Sequence, residues 1–257
     1  MIHNILLSID FAKRDLKQRY IGTGLGQLWF IISPVVMIFI YSVIFSDFMK
    51  MKMNIVDNSY AYSIYLIPGL LAWTSFSNII LRLNTSFFEK ANLIKKINVP
   101  MFVFQLSIAI SELFSLFIAM LLGIGFLLVV NQPVTLEFLI IIPVLLLQTI
   151  FAFGIGVILS LFTPFFKDLK EVVPIVVQLW FWMTPIIYLS SMLEKKYPFL
   201  LKYNPFYYFV KIYQNVFLHS KLPTFVDLLT IVTISFVVLL LSAFLYKKMI
   251  SPIKDII

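Results

Sequence analysis

RDLKQRYIGTGLGQLWFIISP, residues 14–34, changes character twice in one short stretch. It opens basic and water-facing, crosses a hinge made of Gly22, Gly24 and Gly26, and becomes the first continuous apolar run. Such a change marks the place where a chain enters a membrane: the residues before it lie on one surface, and those after it make a series of crossings. Composition agrees. A chain of 257 residues that is 61% hydrophobic and 12% charged, with a mean hydropathy of +1.00, has more apolar surface than a water-soluble globule of this size can bury. Glycines that follow a basic helix rather than a strand, with no lysine after them, are a hinge and not a nucleotide loop.

Cysteine is absent, which excludes a disulfide framework, thiolate metal sites and cysteine nucleophiles. The formal charge of +8 would raise nucleic acid as a partner of a soluble protein. Here the basic residues sit between apolar runs, so anionic head groups and membrane orientation account for them and no nucleic acid is expected. Over residues 1–20, Ile2, Ile5, Leu6, Ile9, Ala12 and Leu16 recur at three- and four-residue spacing opposite Asn4, Ser8, Lys13, Arg14 and Lys17. That stripe predicts an amphipathic helix lying in the head-group layer. The signature of a secretory signal, basic residues first and then a small-residue cleavage site, is not found there.

Uncharged runs occupy 21–46, 58–81, 113–136, 138–166, 172–193 and 228–246, each near the ~20 residues that cross ~30 Å of hydrocarbon. They predict an all-α integral membrane protein, one membrane domain with spans at 27–47, 60–82, 100–130, 137–163, 172–190 and 225–246. Outer-membrane strands would alternate apolar and polar residues over roughly 10 positions, a pattern not seen. With a cytoplasmic N-terminus, thirteen of the 20 basic residues fall on the inside, so both termini are expected in the cytoplasm. Glu112 is the one ionisable group well inside a span. It reads as a protonated or hydrogen-bonded carboxyl near the head-group boundary, since a lone carboxylate is a poor proton carrier.

The segment 191–222 is too apolar for an ordinary loop and too interrupted for a span. Pro198 and the Asn204–Pro205 pair break it, and asparagine before proline starts a helix. A helix from Pro205 to Leu218 would reach ~21 Å, short of the bilayer. It is expected to dip in from outside as a re-entrant external gate, with Tyr207 and Tyr208 on it; the other reading is an interfacial helix on the outer leaflet.

In order along the chain, RDLKQRYIGTGLGQLWFIISP, PGLLAWTSFS at 68–77, NLIKKINVP at 92–100, FFKDLKEVVP at 165–174, LWFWMTPIIY at 179–188 and YNPFYYFVKIY at 203–213 resemble the motifs of ABC-2 permeases that export bacterial polysaccharides. The likeness runs nearly end to end and is greatest to O-antigen exporters of the Wzm type, with capsule and teichoic acid exporters as relatives. Where that family has Phe-Pro-Arg, this chain has Val99, Pro100 and Met101, and Lys167–Asp168 stands for its Arg-Asp. The resemblance implies a homodimer in the inner membrane, bound to two copies of a separate P-loop ATPase. It would move an undecaprenyl-linked glycan outward. ATP and magnesium would belong to the partner, because no GxxxxGK[ST] occurs here, and this chain itself would be non-catalytic and carry no cofactor or metal.

The resemblance also assigns roles. Residues 86–96 become the coupling helix that docks on the ATPase, through Phe87, Phe88, Glu89, Lys90, Ala91, Asn92, Leu93, Ile94 and Lys95. A smooth glycan path suits aromatic walls, whose faces hold sugar C–H groups without directional bonds. Phe30, Met37, Tyr41 and Phe45 on the first span, with Trp180, Thr184 and Tyr188 on the fifth, are candidates for that wall. Most of the 27 Phe and 12 Tyr must nevertheless face lipid or the head-group belt. Arg14, Lys17 and Arg19 are candidates for contact with head groups or the lipid linker. Other classes fit less well. A membrane glycosyltransferase or acyltransferase needs an acidic pair or a His-based site, and the only histidines are His3 and His219, without HxxxxD or DxD. An ion-coupled flippase would carry more intramembrane charge and broken helices in both halves. ABC-2 permeases for drugs or lipids are the nearest rivals.

Overall fold

Two glycines turn the chain into its first long helix. Gly22 and Gly26 have φ of +86° and +51°, a region open to glycine at little cost. They separate helix α1 (Ile2–Gln18) from α2 (Trp29–Met49), which one 3-10 turn, Gly26–Leu28, precedes. The computed structural model describes residues 2–49, 60–89 and 99–256, and among them the only regular structure is helical.

The remaining helices are α3 (Ala61–Glu89), α4 (Met101–Val129), α5 (Ile141–Phe162), α6 (Leu169–Met183), α7 (Ser190–Lys196), α8 (Pro198–Lys202), α9 (Pro205–His219) and α10 (Phe225–Ile256). Among the described residues, five segments are long and apolar enough to cross a membrane: Gly26–Ile44, Ala61–Glu89, Met101–Val129, Leu136–Phe162 and Phe225–Ile253. The further span expected over 172–190 is interrupted. Its helix stops at Met183, where Thr184 is extended (φ −101°, ψ 129°), because the proline after Thr184 excludes the helical conformation from the residue before it. Fifteen residues reach only ~22 Å. Of the coupling helix expected over 86–96, residues 86–89 form the last turn of α3, and the rest lies outside the described residues.

Helix α3 is the centre of the bundle. Its most apolar window is 78% buried, against 11% for that of the first span and 17% for that of α10, which leaves α2 and α10 to present apolar faces outward. Helix α5 packs between α3 and α10, α4 joins α3 to α1, and α9 lies along α3. Association in lipid depends on close approach and polar staples more than on apolar burial, and both are found. A Cβ on Gly156 would lie 2.6 Å from Leu83 Cδ1, and one on Gly154 2.7 Å from Val238 Cγ1. Gln148 donates to the Ala72 carbonyl (2.9 Å), Gln105 to Ser160 Oγ (2.8 Å), and Thr163 to Asn84 Oδ1 (2.6 Å).

Replacing Gly156 by valine is therefore expected to destabilise the fold by about 1–3 kcal/mol through overpacking. Gly125→Val, where a Cβ meets open space, serves as the matched control. Thermal unfolding of both variants in detergent checks this, and equal midpoints would show that α3 and α5 have room to spare.

Candidate functional site

The apolar stripe of α1 buries Ser8 and Ala12 and sets Phe11 against Phe104 of α4 at 4.8 Å. This docking carries Asp15 and Arg19, one helical turn apart, to the side of α3 and α4. Arg19 Nη2 donates to Asp15 Oδ2 (3.2 Å) and to Glu112 Oε1 (2.7 Å). Arg82 of α3 donates to the same Glu112 oxygen (2.8 Å) through Nη1 and to Asp15 Oδ1 through Nη2. Ser111 Oγ closes the ring by donating to Asp15 Oδ2 at 2.8 Å. Two guanidinium groups and two carboxylates thus join three helices, and Glu112 keeps only 2% of its side chain exposed. Glu112 is hydrogen-bonded, and its partners come from helices distant in sequence. Burial pushes the Asp15 carboxyl upward, but Arg82, Ser111 and Arg19 together outweigh it and hold the group below its ordinary range.

A second cluster forms where α6 breaks. Asn204 caps α9, its Oδ1 accepting from the backbone N–H groups of Phe206 (3.1 Å) and Tyr207 (3.3 Å). The same oxygen accepts from Trp180 Nε1 at 2.8 Å, and Nδ2 donates to Thr184 Oγ1 at 2.8 Å. One asparagine therefore pins the end of α6 to the start of α9. The carbonyls freed in the break have partners as well: Tyr62 donates to Ile187 O (2.6 Å), Gln214 to Pro185 O (3.1 Å), and Tyr65 OH lies 3.1 Å and 3.0 Å from the Pro185 and Tyr188 carbonyls. Irregular backbone at membrane depth is tolerated where protein covers it in this way. Rings of Trp73, Phe76, Trp180 and Phe206 pack around the junction.

The candidate residues separate into groups. Trp180, Thr184 and Tyr188 do not share a helix face, since α6 ends before Thr184; Trp180 and Thr184 meet at Asn204, and Tyr188 donates to Trp182 O. Phe30 and Met37 line a cavity between α2, α3 and α4, Tyr41 is half-buried against the core, and the Phe45 side chain lies outside the described residues. Tyr207 is buried, Tyr208 donates to Lys202 O, and Pro198 is exposed. Arg14 and Lys17 face solvent while Arg19 turns inward to the charge cluster. Of the expected ATPase contacts, Phe87 is 2% exposed and belongs to the core, Phe88 lies under Lys170 Nζ at 3.6 Å, and Glu89 is exposed and accepts from Thr85. Lys90, Ala91, Asn92, Leu93, Ile94 and Lys95 are outside the described residues.

Asp15, Arg82, Ser111, Tyr62, Tyr65 and Gln214 are absent from the candidates that sequence reasoning supplies. Arg82 had a signal, a cation at the end of the apolar run that contains PGLLAW. Because Asp15 is held below its unfolded value, its contribution is complete above ~3.9, the free aspartate value, and is lost as pH falls through the lower folded value. Thermal midpoints measured from pH 6 down to 3 should therefore drop in the wild type, and Asp15→Asn should be less stable by about 1–3 kcal/mol at pH 6 with a flatter acid limb. Parallel acid limbs would show that Asp15 is not held by the arginines.

The family model described as ABC-2 type transporter matches residues 11–218, a range that takes in both clusters. The chain is 32% identical over 217 residues to the O-antigen export system permease protein RfbA of Klebsiella pneumoniae, covering 84% of this chain and 82% of that protein. It is 27% identical over 248 residues to the protein of the same name from Myxococcus xanthus, covering 94% and 92%. A bundle of apolar helices, docked on a charged amphipathic helix and matched by the family model over residues 11–218, places this multi-pass membrane chain in the ABC-2 type transporter family.

Proposed function

We propose that this chain is the membrane subunit of an ABC exporter that carries lipid-linked polysaccharide of the O-antigen kind from the cytoplasm across the inner membrane. The observation that carries the reading is the near full-length similarity to permeases named for O-antigen export. In this reading the chain works as a homodimer with two ATPase subunits. Both termini face the cytoplasm, α6 with the broken segment after it completes a sixth crossing, and the two copies together enclose the path. The absence of a phosphate-cradling loop from the sequence supports the division of labour, since ATP then has to be hydrolysed by a partner. The charge cluster supports a mechanical role for α3. Arg82 ties it to α1 and α4 seven residues before its end at Glu89, where the proposed coupling segment begins.

Energy in this reading enters through residues 90–96, and Phe87 serves the core instead. The purified chain should hydrolyse no ATP, and hydrolysis by the pure subunit would sink the assignment. Leu93→Asp with Ile94→Asp, in cells expressing the chain with its ATPase, should reduce surface polysaccharide at least ten-fold while the membrane level of the chain persists. Undiminished export would move the coupling contact elsewhere.

The Asn204 junction is read as the frame of the external gate. Asn204→Ala with Pro205→Ala removes the cap, a loss of about 1 kcal/mol for a helix start, and frees the Trp180 and Thr184 partners too. Vesicles holding the variant complex are expected to leak a small dye that the wild type retains, and equal retention would deprive the junction of a sealing role.

A further inference from the structure

The cavity between the hinge, α2, α3 and α4 has a volume of about 170 Å³, several times the ~30 Å³ that one water takes in the liquid. Its wall holds Arg19, Tyr20, Trp29, Phe30, Asn78 and Glu112, and their hydrogen-bonding capacity is incompletely used. Both arginines bond Glu112 through Oε1. Oε2 of this carboxylate, whose side chain is 2% exposed, accepts from no described residue. The Asn78 amide, the Trp29 indole N–H and the Tyr20 hydroxyl likewise make no side-chain hydrogen bond among the described residues. Tyr20, Trp29 and Asn78 are half-buried and line the cavity, whereas among fully buried side-chain polar atoms of the described residues those without a partner are Gln105 Oε1, Gln148 Oε1 and Tyr213 OH.

The unused set has a definite chemistry. It combines an acceptor-only oxygen, an amide able to give and receive, and an indole that only gives. Beside them stand aromatic rings, with Tyr20 and Phe30 edge to face at 4.7 Å. A phosphate suits this wall poorly. The two guanidinium charges are already matched by Asp15 and Glu112, and the free carboxylate oxygen would repel a further anion. A ring bearing several hydroxyls fits each element: its O–H groups donate to Oε2 and to the amide oxygen, its oxygens accept from Asn78 and Trp29, and its C–H face rests on an aromatic ring.

We propose that this cavity is a subsite for one neutral pyranose, built by Glu112, Asn78 and Trp29 on a floor held in place by the charge cluster. It deepens the export reading and rests on it, naming a place where a sugar unit of the transported glycan is held beside the hinge. Because Arg19 and Arg82 already fix Glu112, the carboxylate is oriented before the sugar arrives, and little ordering remains to be done on binding.

Saturation-transfer difference NMR on the full chain in lipid nanodiscs tests the proposal, with the methyl pyranosides of glucose, mannose, galactose and N-acetylglucosamine offered singly. At least one should receive saturation. That transfer should fall at least five-fold in Asn78→Leu and in Trp29→Leu, and persist in the presence of equimolar inorganic pyrophosphate. No transfer to any of the four, equal transfer in both variants, or displacement by pyrophosphate would each overturn it, the last assigning the cavity to the diphosphate of the lipid linker. Export in complemented cells separates this inference from the reading beneath it. A wild-type chain that restores surface polysaccharide, with both variants exporting at the same rate, defeats the subsite alone. A wild-type chain that fails to restore it, when supplied with its ATPase, defeats the export reading and the subsite together.

Discussion

In hydrocarbon there is no water to satisfy a charge or a free carbonyl, so every departure from an apolar helix has to bring its own partner. Two departures shape this molecule. Glu112 sits inside α4, and α6 ends at Met183 although the run of apolar residues continues. Each is answered by groups from other helices: Arg19 and Arg82 for the carboxylate, and Tyr62, Tyr65, Gln214 and Asn204 for the broken backbone. Leaving one of these groups unpaired costs far more than the pair contributes when made. The answers therefore dictate which helices are neighbours, beyond what apolar faces alone can specify.

The amphipathic helix α1 shows this most clearly. Amphipathicity by itself would let α1 lie anywhere on the membrane surface and rotate about its axis. Asp15 and Arg19 remove that freedom, because their partners are fixed on α3 and α4. The hinge then has one task, to absorb the turn between a helix held by charges and a helix that enters lipid. Positive φ at Gly22 and Gly26 accomplishes it through the turns that follow α1 and the 3-10 turn that precedes α2.

Local features of the fold were legible in sequence because they obey local rules: the stripe of α1, the glycine hinge, the long apolar helices and the Asn204–Pro205 helix start all depend on residues close together. The end of α6 was also local, since Thr184 precedes Pro185, yet the surrounding hydrophobicity masked it. The charge cluster was not legible. Asp15 and Glu112 are ninety-seven positions apart, and nothing in the periodicity of either helix says that they share an arginine. The resemblance puts Phe87 and Phe88 in the coupling segment; α3 continues through both, so helical phase turns Phe87 into the core while Phe88 stays at the rim under Lys170.

Both answers to the solvent problem are anchored on one element. Tyr62 and Tyr65, in the first turn and the turn after it of α3, hold the break beyond α6, and Arg82, near its other end, holds α1 and α4. Seventeen residues separate Tyr65 from Arg82, roughly 26 Å along a helix. Packed interiors do not deform continuously, so a buried helix shifts as a body and its two ends move together. A push delivered where α3 ends at Glu89 would thus reach the Asn204 junction as a displacement of Tyr62 and Tyr65 beneath the carbonyls they hold. The charge cluster lies between the two ends as a restraint: it can be carried along with α1 and α4, or its hydrogen bonds must be exchanged. Which of these occurs decides whether the cavity against Glu112 keeps its shape during transport, and a carboxylate shared by Arg19, just after α1, and Arg82 of α3 is suited to the second, since losing either leaves the other to hold it.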